Sequence, residues 1–336
     1  MNTKFTYSFI GLTVILLLCF FANISLGSVS IPLDDVFGSV FGLSDNYIIQ
    51  NYRLPKALTA ILVGSGLGIS GLLMQTLFKN PLAGPFVLGI SSGASLGVAL
   101  VILGSGLFGG AFAVALVSKW SIVIAASLGS FLVLLAVLLV SSKVRDTMAI
   151  LIIGLMFGSI TAAVVSVLSY FSSAEQLQQY IFWGFGSLGN LAWSELLIFF
   201  CIYLIGILLT TFSIKALNTL LLGENYAKSL GLNIKQSRLI IILATSLLAG
   251  TITAFAGPIA FIGLAIPHMT RQIFNTSNHK ILLPAVFLFG AIVMLICDSI
   301  AQIPTSDYTL PINAITSLIG APVVVWLLVR QRKMVF

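Results

Sequence analysis

Ten apolar runs follow one another along the chain, at about 5–27, 57–77, 86–107, 121–140, 148–169, 195–214, 239–256, 258–267, 282–300 and 312–329, with short polar turns between them. A helix that crosses a bilayer needs about 20 apolar residues, so a span with its loop takes roughly 25–35. The 336 residues therefore hold about ten such units. Charged residues make up 7% of the chain and hydrophobic ones 59%, with a mean hydropathy of +1.13. A soluble domain carries roughly 25% charged residues. That shortage of charge excludes a soluble enzyme, a nucleic-acid binder and a disordered chain. The eighth run is short and interrupted by Gly263 and Pro267. The stretch 174–190, with Glu175 and three glutamines, reads as a re-entrant or interfacial helix. The expectation is an all-α, polytopic membrane protein: ten spans plus one partial helix, in a single transmembrane domain over 1–336.

The net charge is +7. Cytoplasmic loops keep an excess of Lys and Arg. With the N-terminus inside, the inner segments hold Lys4, Lys79, Lys143, Arg145, Lys215, Lys228, Lys235, Arg238, Arg271, Lys280, Arg330, Arg332 and Lys333. The outer segments hold Arg53, Lys56 and Lys119. Thirteen against three predicts both termini cytoplasmic. Lys4 followed by the run from Phe5 to Leu26 has the outline of a signal peptide, but the run is long for one and many spans follow, so it reads as an uncleaved first span.

Chemical motifs are scarce. Cys19, Cys201 and Cys297 lie far apart in apolar runs and read as small buried hydrophobes. His268 and His279 are the only histidines, too few for a histidine-rich metal site. There is no GxxxxGK[ST] phosphate loop, so ATP hydrolysis through a P-loop belongs elsewhere. HExxH and GxSxG are also missing. Only Asp298 and Glu195 place a carboxylate within or at the end of a span, and Glu195 reads as interfacial, near a helix N-terminus. Gly89, Gly93 and Gly97, with the pairs Gly64/Gly68 and Gly154/Gly158, mark close helix packing.

Four polar segments stand out. Arg53-Leu54-Pro55-Lys56 puts two cations outside the second span, against the general bias. It reads as an interfacial anchor or a docking patch for an acidic partner. Gln75–Pro85 is a turn built on two prolines and a glycine, or a gate loop. The segment 215–238 repeats Leu217, Leu220, Leu221, Ala227 and Leu230 at helical spacings across a break at Gly223, which predicts two short helices ending near Gly231. Its mixed charges and narrow apolar face favour a docking element over a membrane-surface helix. Gly257–Arg271 reads as a broken helix, tolerated at membrane depth only inside protein or along a cavity.

Together these segments resemble the permease subunits of binding-protein-dependent (type II) ABC importers for iron–siderophores, haem and cobalamin. The matching stretches are RLPKALTAILVG, SGLLMQTLFKNPLAGPFVLGISSGASLG, WGFGSL, LLLGENYAKSLG, AFAGPIAFIGLAIPHMTR and LPINAITSLIGAPVVVWLL, in that order. The resemblance runs from the second span almost to the C-terminus. It implies a cobalamin-permease-like fold in a bacterial plasma membrane. Its implied partners are two cytoplasmic ABC ATPase subunits, an extracytoplasmic substrate-binding protein, and a second permease copy or sister chain. Neither a cofactor nor a nucleic-acid partner is implied, and ATP hydrolysis falls to the separate ATPase.

Carried onto this sequence, the resemblance makes Arg53 and Lys56 the binding-protein docking pair. Leu220, Gly223, Glu224, Ala227, Ser229, Leu230 and Gly231 become ATPase-coupling positions, and Asn80, Pro81 and Leu82 with Ser141 and Ser142 a cytoplasmic gate. His268 matches a family histidine that reads as structural. Two positions depart from the pattern. Gln302 stands where a basic residue often follows the span aspartate by four positions, so no salt bridge is expected from it. Asn313 stands where the family usually has glycine.

The expected activity is import of a ferric siderophore, with haem or cobalamin as alternative cargoes of the same machinery. Few His, Cys and acidic groups argue against bare metal ions, which want such ligands. An ion-coupled secondary transporter is the rival, but it predicts a buried ionisable relay and paired broken helices in related halves. Only one broken segment appears and no half-repeat.

Overall fold

The computed structural model describes residues 3–27, 29–107, 118–141, 147–303 and 308–330. Among them the regular structure is entirely helical. In chain order the α-helices are α1 (Thr3–Ser25), α2 (Leu33–Val40), α3 (Leu54–Phe78), α4 (Ile90–Ile102), α5 (Lys119–Ser141), α6 (Thr147–Tyr170), α7 (Ala174–Gly184), α8 (Trp193–Phe212), α9 (Ile214–Leu221), α10 (Glu224–Ser229), α11 (Ile234–Ala256), α12 (Ile262–Phe274), α13 (His279–Ala301) and α14 (Ile312–Arg330).

α3 is the axis of the bundle. After Lys56 it carries no charge, and almost every residue from Thr59 to Phe78 is buried. Its 25 residues rise about 37 Å at 1.5 Å each, enough for a hydrocarbon core of about 30 Å. Apolar burial does not drive helices together in lipid, so close backbone approach has to. Glycines provide it. A Cβ on Gly71 would sit 1.7 Å from the carbonyl oxygen of Gly263 on α12, and one on Gly64 would sit 2.2 Å from that of Gly290 on α13. The ridge expected at Gly89, Gly93 and Gly97 packs α4 onto α5. Cβ atoms at Gly93 and Gly97 would meet the Gly129 and Ala125 carbonyl oxygens at 2.4 and 2.0 Å. The helices α1, α5, α6 and α8 turn large apolar side chains outward, as lipid-facing helices do.

The ten expected spans are not all of full length. Seven helices among the described residues are long and apolar enough to cross a membrane: Phe5–Ser25, Ile49–Phe78, Lys119–Val140, Ala149–Tyr170, Trp193–Phe212, Ile234–Ala256 and His279–Ala301. The run 86–107 divides into a 3-10 turn at Pro85–Leu88, the 13-residue α4 and a second 3-10 turn at Gly104–Leu107. Gly89, at φ +79°, makes the first break. The run 258–267 is the expected broken segment. α11 stops at Gly257 (φ +78°), and α12 restarts after Phe261, itself left-handed at φ +65°. α14 is 19 residues long, Ile312–Arg330, with Pro322 inside it. Hydropathy counts apolar residues whether or not one helix holds them, and Gly and Pro decide the latter. The semi-polar stretch is α7, opened by a capping box between Ser173 and Gln176 and with no buried residue.

Candidate functional site

The two ends of α3 carry the polar chemistry. At its N-terminal end a five-residue π-helical turn, Ile49–Arg53, feeds the helix, and Pro55 stands in its first turn, where a missing N–H costs nothing. Lys56 Nζ lies 3.1 Å from Asp298 Oδ1 on α13. Asp298 is 2% exposed, and its other oxygen accepts from Asn23 Nδ2 at 2.9 Å and Gln302 Nε2 at 2.8 Å. Gln302 Oε1 accepts from Arg53 Nη1 at 3.1 Å, and Arg53 Nη2 donates to the Val29 carbonyl at 3.0 Å. Gly27 allows this path, because a Cβ there would overlap the guanidinium at 1.9 Å.

Arg53 and Lys56 therefore share one network, and each already has an internal partner. The cluster lines a cavity of about 490 Å³, with Phe182, Phe185, Asp298 and Gln302 in its wall. As expected, Gln302 forms no salt bridge; instead its amide joins the two cations' networks. Asn313 likewise has a role in this structure. Its Oδ1 accepts from Ala260 N at 3.0 Å in the broken segment, and its backbone N–H donates to Phe185 O at 3.1 Å. It clasps α14 to the ends of α7 and α11.

The opposite end of α3 holds the turn named as a gate. Lys79 closes the helix in the left-handed region at φ +47°. Asn80 N donates to Gln75 O at 3.2 Å, and Asn80 Oδ1 accepts from Leu82 N at 2.9 Å, which shapes the turn around Pro81. Leu82 is exposed. Ser141 ends α5, and Ser142 lies outside the described residues.

At this same end stand α9 and α10, the two short helices expected around Gly223. Gly223 adopts φ +107°, which favours glycine, and Gly231 follows α10 at φ +82°. Leu217, Leu220 and Ala227 are buried and seat the pair on the bundle. Glu224 Oε1 accepts from Arg238 Nη2 at 3.0 Å, bracing α10 against α11. Ser229, Leu230 and Gly231 are exposed. Leu222, Tyr226 and Leu230, four residues apart, stand 62%, 56% and 59% exposed. Sequence reasoning passed over Leu222 and Tyr226, although the spacing was readable.

It also passed over the polar groups that hold each end. Asn23, inside the first apolar run, reaches Asp298. His279 bonds to Thr76 and Asn218, and Arg271 bonds to Gln75. A polar residue within an apolar run is itself a signal, since its cost in lipid demands a partner. Glu195 pairs with Lys119 and accepts from Ala192 N at 2.8 Å, at the N-terminus of α8. No group of three or more His, Cys, Asp or Glu occurs among the described residues.

This architecture matches known proteins. The family model of the FecCD transport family matches residues 15–330. The chain belongs to this family. The FecCD-family chain is 34% identical over 324 residues to the hemin transport system permease protein HmuU of Yersinia pestis, covering 96% of this chain and 95% of HmuU. It is 36% identical over 324 residues to the vitamin B12 import system permease protein BtuC of Klebsiella pneumoniae, covering 96% and 93%. A solved inward-facing metal-chelate type ABC transporter superposes with a TM-score of 0.82 at 33% identity, covering 97% of this chain and all of that one. PsaBC from Streptococcus pneumoniae, at 16% identity and a TM-score of 0.52, shares the fold alone. This FecCD-family protein is thus a multi-pass membrane permease of the ABC importer family for siderophores, haem and cobalamin, as its motifs indicate.

Proposed function

We propose that this permease forms, with a second copy or a sister chain, the translocation pathway of an ATP-driven importer for a metal chelate. The whole chain acts as one transmembrane domain in the bacterial inner membrane, with both termini cytoplasmic. One observation carries the reading. A single buried helix, α3, has the Arg53–Lys56 cation pair at one end and the Asn80–Leu82 turn, beside α9 and α10, at the other.

In this reading Arg53 and Lys56 meet acidic side chains of an extracytoplasmic binding protein. Leu220, Gly223, Glu224, Ala227, Ser229, Leu230 and Gly231 shape the face that enters a groove on each of two ABC ATPase subunits, where Leu222 and Tyr226 add apolar area. Nucleotide-driven closure then moves α9 and α10, and the gate at Asn80–Leu82 and Ser141–Ser142 opens in turn with the outer mouth. ATP hydrolysis stays in the partner subunits.

The cargo is a metal ion already wrapped in a chelator or macrocycle. The hemin and vitamin B12 named for the relatives and the ferric siderophore expected from the sequence motifs all fit that description. The test is reconstitution with the partner ATPase and binding protein in liposomes, with ATP on the ATPase side, comparing uptake of hemin, cobalamin and a ferric siderophore. Uptake that needs ATP and the binding protein and ignores ionophores is the expected result. Uptake that proceeds without ATP and collapses with ionophores would overturn the reading in favour of a secondary transporter.

A further inference from the structure

A second polar network lies at the end of α3 away from Arg53, and it joins α9 to the gate turn. Asn278 caps α13, its Oδ1 accepting from Lys280 N at 3.0 Å. Asn218, on α9, donates from Nδ2 to that same oxygen at 3.2 Å. Its own Oδ1 accepts from His279 N at 2.9 Å and from His279 Nδ1 at 2.8 Å. With Nδ1 donating, Nε2 of the neutral ring is left to accept, and it lies 2.9 Å from the Thr76 hydroxyl, whose one proton it shares with the Leu72 carbonyl at 2.8 Å. His279 is fully buried and Thr76 almost so.

Thr76 and its neighbour Gln75 are the residues on which the gate turn is hung. Lys79 N donates to Thr76 O and Asn80 N to Gln75 O. Arg271, from α12, donates to Gln75 Oε1 at 3.2 Å, and Gln75 Nε2 donates to Leu264 O at 3.1 Å. The bonds therefore run without a gap from Asn218 through His279 to Thr76 and into the backbone of residues 79–80. The other contacts that seat α9 are apolar, through Leu217 and Leu220, and apolar contacts are non-directional and let surfaces slide. The buried His279–Thr76 bond holds register instead, because a partner lost in a dry interior is not replaced by water, and half-buried Asn218 extends that bond to α9 by directional contacts.

We propose that His279 is a positioning residue that locks α9 to the end of α3, so that a displacement of α9 reaches the gate turn rather than dissipating as slip. The inference rests on the importer reading given above. It concerns how ATPase movement is converted into gate movement.

The test uses the full importer, permease with ATPase and binding protein, in liposomes. The cargo is whichever of hemin, cobalamin or a ferric hydroxamate the wild type takes up. Cargo moved per ATP hydrolysed is measured for Thr76→Val, Asn218→Ala, the double variant and Thr76→Ser. Each single loss should lower cargo per ATP by roughly three- to tenfold, while Thr76→Ser, which keeps the hydroxyl, holds the wild-type ratio. The double variant should be no worse than the poorer single one, since both break the same chain of bonds. An unchanged ratio in the single variants, or losses that multiply in the double, overturns the proposal. If Thr76→Val does not yield an assembled complex, His279→Asn replaces it. The shorter amide keeps a donor near Asn218 but cannot reach Thr76, and the same two criteria apply. A wild type with no ATP-dependent uptake would instead defeat the importer reading, so the two failures are distinct.

Discussion

Gln302 stands between Arg53 and Asp298, its Oε1 accepting from Arg53 at 3.1 Å and its Nε2 donating to Asp298 at 2.8 Å. One neutral amide thereby links a cation to an anion that Lys56 already neutralises. The patch proposed to dock a binding protein is a closed network in this state. A partner carboxylate must displace Gln302 or Asp298, or add to them from the cavity side.

Removing Asp298 should be costly to the fold. Breaking a buried pair leaves its remaining partner unpaired, and Asp298→Ala would leave Lys56 without its counter-ion and take one acceptor each from Asn23 and Gln302. The expected loss is about 2–4 kcal/mol, read as a lower thermal midpoint in detergent by fluorescence-detected size exclusion. Asp298→Asn, which keeps the shape and an acceptor, should lose less.

Charge reversal at the same end should act on docking, and at Lys56 on the fold as well. Arg53→Glu should weaken binding-protein capture at least tenfold, with the defect shrinking as salt rises, while co-purification with the ATPase is retained. Lys56→Glu should weaken capture too, but it sets a second carboxylate against buried Asp298 and should also lower the thermal midpoint. Gln302→Leu frees Arg53 from one internal acceptor and should strengthen capture. Surface plasmon resonance on nanodisc-held permease measures all three.

The glycine contacts set a sharper contrast. At Gly71 an added Cβ would press on the Gly263 carbonyl at 1.7 Å, backbone against backbone, with no side chain to give way. Gly71→Ala should cost about 1–3 kcal/mol or more and leave little monodisperse protein. A methyl added at Gly11 would meet nothing within 4 Å, so Gly11→Ala should be neutral or slightly stabilising through helix propensity.

Glu224 separates stability from coupling. Its pair with Arg238 is partly exposed, so Glu224→Gln should shift folding by no more than about 1 kcal/mol. The same change should reduce cargo-stimulated ATP hydrolysis in the assembled complex, because α10 loses its brace on α11. Equal ATPase rates for wild type and variant would remove Glu224 from the coupling face.

Asn313→Gly installs the glycine expected there from the family resemblance and deletes a clasp. Ala260 N loses its side-chain acceptor, and α14 is tied to the α7 end only through its backbone. Hydrogen exchange at residues 258–261 should quicken, read by mass spectrometry on the intact permease.

Much of this was legible in the residues. Apolar runs with so few charges dictate a helical membrane protein, because only structures that satisfy their own backbone survive in hydrocarbon. Gly223, Gly231 and Gly257 marked breaks that occur where the chain is least able to continue a helix, whereas the interruption expected at Gly263 and Pro267 does not occur, because α12 runs through both from Ile262 to Phe274. The GxxxG spacings pointed to close helix packing, which α4 makes on α5. The span count was less legible, since a window of hydropathy cannot see Gly89 or Phe261 turning left-handed inside an apolar run.

What no local pattern could supply was pairing across the bundle. Lys56 finds Asp298 from 242 positions away and His279 finds Thr76 from 203, and nothing in the spacing of either residue names its partner. The sequence determined the solvent, the helices and the family, because those depend on composition, periodicity and motif, which are local properties. The tertiary structure alone decided that Arg53 and Lys56 are internally satisfied and that a buried histidine joins α9 to α3. Those are long-range hydrogen bonds, and they exist only once glycine-lined helices have brought distant polar groups into a dry interior where each must find a partner.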